Sequence, residues 1–186
     1  MRPAPWVSCQ ETDGFGKGSF QRRLERIMDI AKLLTVDRVA LNHQCASKKR
    51  VLETLGSLLT HDVPPLSPID AFDILNARER LGSTAVGSGV AIPHGRADEC
   101  PRAYGALLTL QHGIEFDAPD GEPVDVFFGL LVPANYTTEH LELLGQLARR
   151  LREPAFTVEL RRARDPRELI DVVAEQGPPH AARLGS

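Results

Sequence analysis

The run Val124-Asp125-Val126-Phe127-Phe128-Gly129-Leu130-Leu131-Val132 constrains this chain more than any other. It is apolar at nearly every position, so it lacks the alternation of a strand with one wet face. Such a run reads as a strand buried on both faces, which needs covering on each side. Two further strand-like runs are Thr84 to Ile92 and Tyr104 to Gln111. Pro119-Asp120-Gly121 is a turn that can join a short Ile114–Phe116 strand to the buried one.

Helical patterns supply the covering. Ser47 can cap a helix from about Lys48 to Thr60, with Val51, Leu52, Leu55, Leu58 and Leu59 as its apolar stripe. Ser67-Pro68-Ile69-Asp70 starts a second helix: a serine N-cap, proline at the first helical position and an acid three residues after the cap. Its inward residues are expected to be Ile69, Phe72 and Leu75. The helix should end near Leu81-Gly82, which places Arg78 in its last turn. After Pro133 the apolar period changes again. Leu141, Leu144, Leu147, Ala148 and Leu151 repeat at helical spacing, with Thr137 or Thr138 as the cap. Pro154 stops that helix, and helical sequence resumes from about Ala155 to Ala163. Asp165-Pro166-Arg167-Glu168 then forms a capping box for a last helix through Ala174. Helices mixed with a doubly buried strand point to an α/β layered fold.

The ends differ from this pattern. Residues 1–27 hold Gly14, Gly16, Gly18 and the basic cluster Arg22, Arg23 and Arg26, with no period through residue 19. They are expected to form a disordered extension, with residues 21–27 as a possible short helical lead-in. Residues 177–186 read as a frayed tail.

Gly87-Ser88-Gly89-Val90-Ala91-Ile92-Pro93-His94-Gly95 carries the chemistry. His94 stands between a proline that fixes its own φ and a glycine that permits close approach. Imidazole titrates near neutrality and can serve as a nucleophile at cellular pH. On spacing alone the stretch reads first as a strand end and turn that happens to hold a histidine. A dinucleotide loop is excluded: Ile92 occupies the third glycine position, and the run ends in Pro-His rather than opening a helix.

Other classes are bounded by composition. The net charge of −3 supplies no basic field of the kind nucleic-acid binders use. No apolar run approaches the ~20 residues that cross a bilayer, and no secretory segment is visible, so the expected compartment is the cytoplasm. Cys9, Cys45 and Cys100 are scattered, which indicates neither a disulfide framework nor a zinc site. No metal or cofactor is expected. His43, His61, His112 and His180 read as surface residues.

Arg78-Glu79-Arg80-Leu81-Gly82-Ser83-Thr84 followed by Gly87-x-Gly89-Val90-Ala91-Ile92-Pro93-His94-Gly95 resembles the IIA proteins of the bacterial phosphotransferase system. The branch is the mannitol/fructose type. Phe116-Asp117-Ala118, Pro123-Val124-Asp125, Leu130-Leu131-Val132-Pro133 and Glu139-His140-Leu141 continue the match, which is strongest to the nitrogen-regulatory members. It covers about residues 28–176. The resemblance implies a single-domain three-layer sandwich, a mixed β-sheet flanked by helices. It implies that His94 is phosphorylated at Nε2.

By motif position the resemblance assigns Arg78 and His140 to the phosphoryl group. From the residues alone, Arg78 reads as a salt-bridging arginine at a helix C-terminus and His140 as a solvated histidine at a helix start. Ser83 and Thr84 are weaker candidates as hydroxyl or N–H donors, and Arg96 is assigned to a docking surface. The family often has Gly-Ile-Gly after Ser-Thr, where this chain has Ala85-Val86-Gly87.

The implied function is that of a phosphohistidine carrier. A histidine-containing phosphocarrier protein would be the donor. The phosphorylation state would set which regulatory targets are bound, such as potassium-transport and sensor-kinase systems. One alternative is a sugar-specific IIA component that passes phosphate to a IIB partner for fructose or mannitol uptake. Another, of a different class, is a protein-binding module that is never phosphorylated.

Overall fold

Val124–Pro133 (β6) is the centre of one six-stranded sheet, and its side chains are buried apart from Asp125, which is partly exposed. The structure is a computed structural model that describes residues 30–63, 66–135 and 138–174; the side chains of 138–140 fall outside that description. The other strands are β1 (Val39–His43), β2 (Ala85–Gly87), β3 (Val90–Ala91), β4 (His94–Ala97) and β5 (Tyr104–Ile114). They run in the order β1-β5-β6-β3-β2, and β4 also pairs with β6. The sheet is mixed: β5 runs antiparallel to β6, whereas β3 and β4 run parallel to it and β1 parallel to β5.

The described helices are α1 (Lys48–Leu59), α2 (Pro68–Glu79), α3 (Thr138–Leu151), α4 (Pro154–Arg162) and α5 (Pro166–Ala174). On one face, Val51, Leu52, Leu55 and Leu75 of α1 and α2 meet Ala106, Leu108, Phe127 and Leu131. On the other, Leu143, Leu147, Leu160 and Leu169 of α3–α5 meet Leu107, Val126, Phe128 and Leu130. From Val126 to Val132 alternate residues of β6 thus enter separate cores, and the expected three-layer sandwich is present. Among the described residues no helix is long and apolar enough to cross a membrane.

Caps set where the helices begin. The Ser47 hydroxyl accepts from Arg50 N–H at 3.3 Å. Ser67 and Asp70 cap each other as the sequence indicated: Asp70 N–H donates to the Ser67 hydroxyl at 3.2 Å and Ser67 N–H to the Asp70 carboxylate at 3.3 Å. At α5, Asp165 accepts from the N–H groups of Arg167 and Glu168, each at 2.9 Å. The reciprocal bond differs from the expected box, because Glu168 reaches the N–H of Arg164 rather than that of Asp165.

Three expectations need correction. The Thr84–Ile92 run is a hairpin rather than one strand. Ser88 and Gly89 both have positive φ, 58° and 75°, as a tight primed turn requires, so the chain reverses between β2 and β3. Ile114–Phe116 is not a separate strand. Ile114 ends β5 opposite Val124, and the register shift after Thr109 absorbs the polar Gln111-His112-Gly113 stretch. Ile69 points outward and is 72% exposed. The buried line of α2 is Ala71, Leu75 and Glu79, and Ile69 lies two residues, about 200° around the axis, from Ala71. The strands β1 and β4 had no sequence expectation, being short and interrupted by polar residues.

Ala85 lies in β2 opposite Ala91 and is not among the residues with positive φ, so alanine serves there without strain. The proposed extension 1–27, the tail 177–186, the Thr137 cap and the side chain of Thr138 lie outside the described residues.

Candidate active site

His94 opens β4 in register with Leu130 of β6. Just upstream, β3 pairs with the same edge of β6 through Val90 and Ala91. The two short strands lie in tandem, separated by Ile92-Pro93. Proline has no N–H to give a ladder, but its carbonyl accepts from Leu130 N–H at 2.9 Å. At this break the Ile92 carbonyl lies 2.7 Å from His94 Nδ1. A carbonyl can only accept, so Nδ1 carries the proton and Nε2 carries the lone pair. Arg78 gives the same tautomer independently: its Nε–H donates to His94 Nε2 at 3.1 Å.

Burial pushes the pKa of His94 below its ordinary value of 6.5, and the charges of Arg78 and Arg96 push the same way. The Ile92 hydrogen bond and the Glu79 carboxylate oppose them without reversing the shift. The ring is therefore a neutral base at pH 7, with its lone pair under a guanidinium.

Arg78 sits in the last turn of α2, as its spacing indicated, and its Nη1 also donates to the Gly82 carbonyl at 3.1 Å. Its reach to His94 depends on how closely α2 packs on β4. Gly95 allows that approach: a Cβ there would lie 2.2 Å from Ile74 Cγ2. Ile74 is one helical turn before Arg78, so the glycine beside His94 lets the turn that carries the arginine pack close to the ring.

The Ser83 hydroxyl donates to the Phe116 carbonyl at 2.7 Å and accepts from Ala85 N–H at 3.2 Å. The Thr84 hydroxyl donates to Glu79 Oε2 at 2.5 Å, and its N–H donates to both Glu79 oxygens, at 3.1 and 3.2 Å. Both hydroxyls are held by protein partners. Arg96 is exposed on β4, two residues from His94 and on the same face of the strand. His140 falls in the first turn of α3, and its side chain lies outside the described residues. His43, His61 and His112 are exposed, while His180 lies outside the described residues.

Sequence reasoning missed two groups. Glu79, next to Arg78, is 5% exposed and pairs with Lys48 Nζ at 2.8 Å; Lys48 also bonds Asp117 Oδ2 at 2.8 Å. Glu79 stood inside the Arg78-Glu79 motif and continued the buried 71–75 line, which was a usable signal. Lys48 had none, because its partners are distant in sequence.

Residues 32–176 match the family model described as "Phosphoenolpyruvate-dependent sugar phosphotransferase system, EIIA 2". A nitrogen regulatory protein of Pseudomonas aeruginosa is 42% identical over 146 residues, covering 78% of this chain and 95% of that protein. A fructose-specific EIIA component of Haloferax volcanii is more distant, 32% identical over 150 residues, covering 80% and 97%. The crystal structure of the nitrogen regulatory protein IIA-Ntr from Neisseria meningitidis superposes with a TM-score of 0.73 at 41% identity, covering 77% of this chain and 98% of that one. This chain belongs to the EIIA 2 family of the phosphoenolpyruvate-dependent sugar phosphotransferase system.

Proposed function

We propose that this protein is a phosphohistidine carrier, with His94 as acceptor and a regulatory output. The observation that carries the reading is the His94 ring itself: Nδ1 against the Ile92 carbonyl, Nε2 under Arg78. The donor is a phosphorylated histidine on a histidine-containing phosphocarrier. The Nε2 lone pair attacks phosphorus as the bond from phosphorus to the donor nitrogen breaks. The donor ring, protonated on its other nitrogen, leaves as neutral imidazole. On His94 the Nδ1 proton stays in its bond to Ile92, which stabilises the positive charge gained by the ring. The Arg78 N–H released from Nε2 turns to the phosphoryl oxygens, where positive charge lowers the barrier most. His140 is a second group for those oxygens, supported by its motif position in the first turn of α3. Ser83 and Thr84 act one step back, shaping the loop beside the ring.

The regulatory output rests on the comparisons. Relatives named as nitrogen regulatory proteins reach about 40% identity, whereas the sugar-specific relative is more distant. Phosphorylation adds about −1.5 to −2 charges and so changes which proteins bind beside His94 and Arg96. A potassium transporter or a sensor kinase is the kind of target this reading implies. Phosphoenolpyruvate as the ultimate donor fits work in the cytoplasm.

The test is intact-mass spectrometry at alkaline pH, after incubation with phosphoenolpyruvate, enzyme I and the phosphocarrier. One added phosphate on the wild type and none on His94→Ala is the expected result. No phosphate on the wild type, with a control IIA labelled in the same mixture, overturns the reading. Rapid onward transfer to a IIB protein would move the assignment to the sugar-specific branch.

A further inference from the structure

Position 79 continues the buried line of Ala71 and Leu75 on α2. An apolar side chain there would carry no charge to desolvate. Glutamate stands there instead, and burying a carboxylate is expensive unless every oxygen is bonded. Here both oxygens are engaged by Thr84 N–H, one takes the Thr84 hydroxyl, and Lys48 pairs with the other. Lys48 in turn lies 4.5 Å over the Phe116 ring and bonds Asp117, which ties the loop after β5 to the same carboxylate.

What Glu79 holds is the second half of the site. The carbonyl of Thr84 accepts from Ile92 N–H at 3.0 Å. The carbonyl of that same Ile92 accepts from His94 Nδ1. The path from Glu79 through Thr84 and Ile92 to His94 is therefore continuous in hydrogen bonds. Arg78, the adjacent residue on α2, addresses Nε2 directly.

We propose that Glu79 is a positioning residue that holds the His94 imidazole in its Nδ1–H tautomer through Thr84 and Ile92. One turn of α2 then governs both ring nitrogens, Arg78 at the reacting one and Glu79 at the other. The proposal rests on His94 being the phosphoryl acceptor. Its physical basis is that of outer partners that fix an imidazole tautomer at metal sites, where losing the partner costs reactivity without touching the reacting atom.

The test uses the full chain with Glu79→Gln, which keeps the size but swaps one acceptor oxygen for a donor. Long-range proton–nitrogen NMR of the His94 ring reads the tautomer, and the rate of phosphoryl acceptance is measured beside it. Glu79→Gln is expected to populate the Nε2–H form and to slow acceptance about tenfold or more. A control variant, Asp62→Ala, breaks the Arg38–Asp62 ion pair away from this path. It should lower stability and leave the tautomer unchanged. A folded Glu79→Gln with the wild-type tautomer and a rate within about twofold of wild type overturns the proposal. If Glu79→Gln does not fold, Glu79→Asp carries the test, since it keeps the charge and draws the carboxylate back from the Thr84 N–H. Unchanged His94 nitrogen shifts in that variant overturn the proposal, and shifts toward Nε2 protonation support it. If the wild type accepts no phosphate, the carrier reading fails, while the tautomer comparison still decides the part played by Glu79.

Discussion

Arg78 Nε lies 3.1 Å from Nε2 of His94, on the ring nitrogen opposite the one that Ile92 holds. The lone pair that would attack phosphorus is thus already paired with the group that would receive the phosphoryl charge. That arrangement makes the arginine's contribution measurable in two ways.

Replacing Arg78 by alanine removes both the donor and a nearby positive charge. Phosphoryl acceptance should fall by about 10²-fold, the usual scale for losing one charge-stabilising donor in a transition state. Arg78→Lys should recover only part of this, because an ammonium cannot match the planar fork of a guanidinium. Stopped-flow or quench kinetics with phosphorylated carrier would read both. The same alanine variant should move the His94 pKa upward, since the Arg78 charge helps to depress it. A ring titration by NMR reads that shift.

Gly95→Ala tests the packing that delivers Arg78. The new methyl would meet Ile74 Cγ2 at 2.2 Å, so Ile74 must turn within its packed site or α2 must lift from β4. Overpacking of this kind costs about 1–3 kcal/mol. The transfer rate should fall further than the stability loss alone explains, because the arginine moves with the helix. Adding Ile74→Ala removes the clashing atom and should recover much of both losses. Urea unfolding and transfer kinetics on the single and double variants give the comparison.

The depressed pKa of His94 sets a pH window. The neutral ring, which is the reactive form, should persist below the ordinary value of 6.5. Acceptance should therefore lose half its rate at a pH below 6.5. Stability follows the same group. Between 6.5 and the lower folded pKa the unfolded chain binds a proton that the native ring does not, so stability falls as pH drops through that window. His94→Ala should remove this component of the slope. Chemical denaturation of both proteins across the window measures it.

Arg38 is 1% exposed, and its guanidinium pairs with Asp62 while stacking 4.7 Å over the Tyr104 ring. Asp62→Ala leaves a buried charge without its acid, a change that costs about 3 kcal/mol. The phosphoryl-transfer rate at 25 °C should not change. Thermal unfolding and transfer kinetics together would separate this ion pair from the one between Lys48 and Glu79.

Much of this molecule was legible because its signals are local. The β6 run showed both faces buried, and the Ser67/Asp70 box showed where α2 starts and hence where Arg78 falls. Ser88 and Gly89 show the limit: both lie within an apolar stretch, and only their positive φ values reveal the hairpin. Ile69 misled because an isolated apolar residue at a helix start fits two faces until the partner strand is known. Lys48 could not be read at all. Its link to Glu79 exists only after α1 and α2 pack together on the sheet. The tautomer of His94 was equally hidden, since it depends on an Ile92 carbonyl freed by a break between two strands.

The most direct test of the account is the identity of the phosphorylated nitrogen. Uniformly nitrogen-15-labelled protein would be phosphorylated by phosphoenolpyruvate, enzyme I and the phosphocarrier, and its His94 ring examined by NMR at alkaline pH. The account requires phosphorus coupled to Nε2 of His94. Phosphorus on Nδ1, or on any other residue, would contradict it.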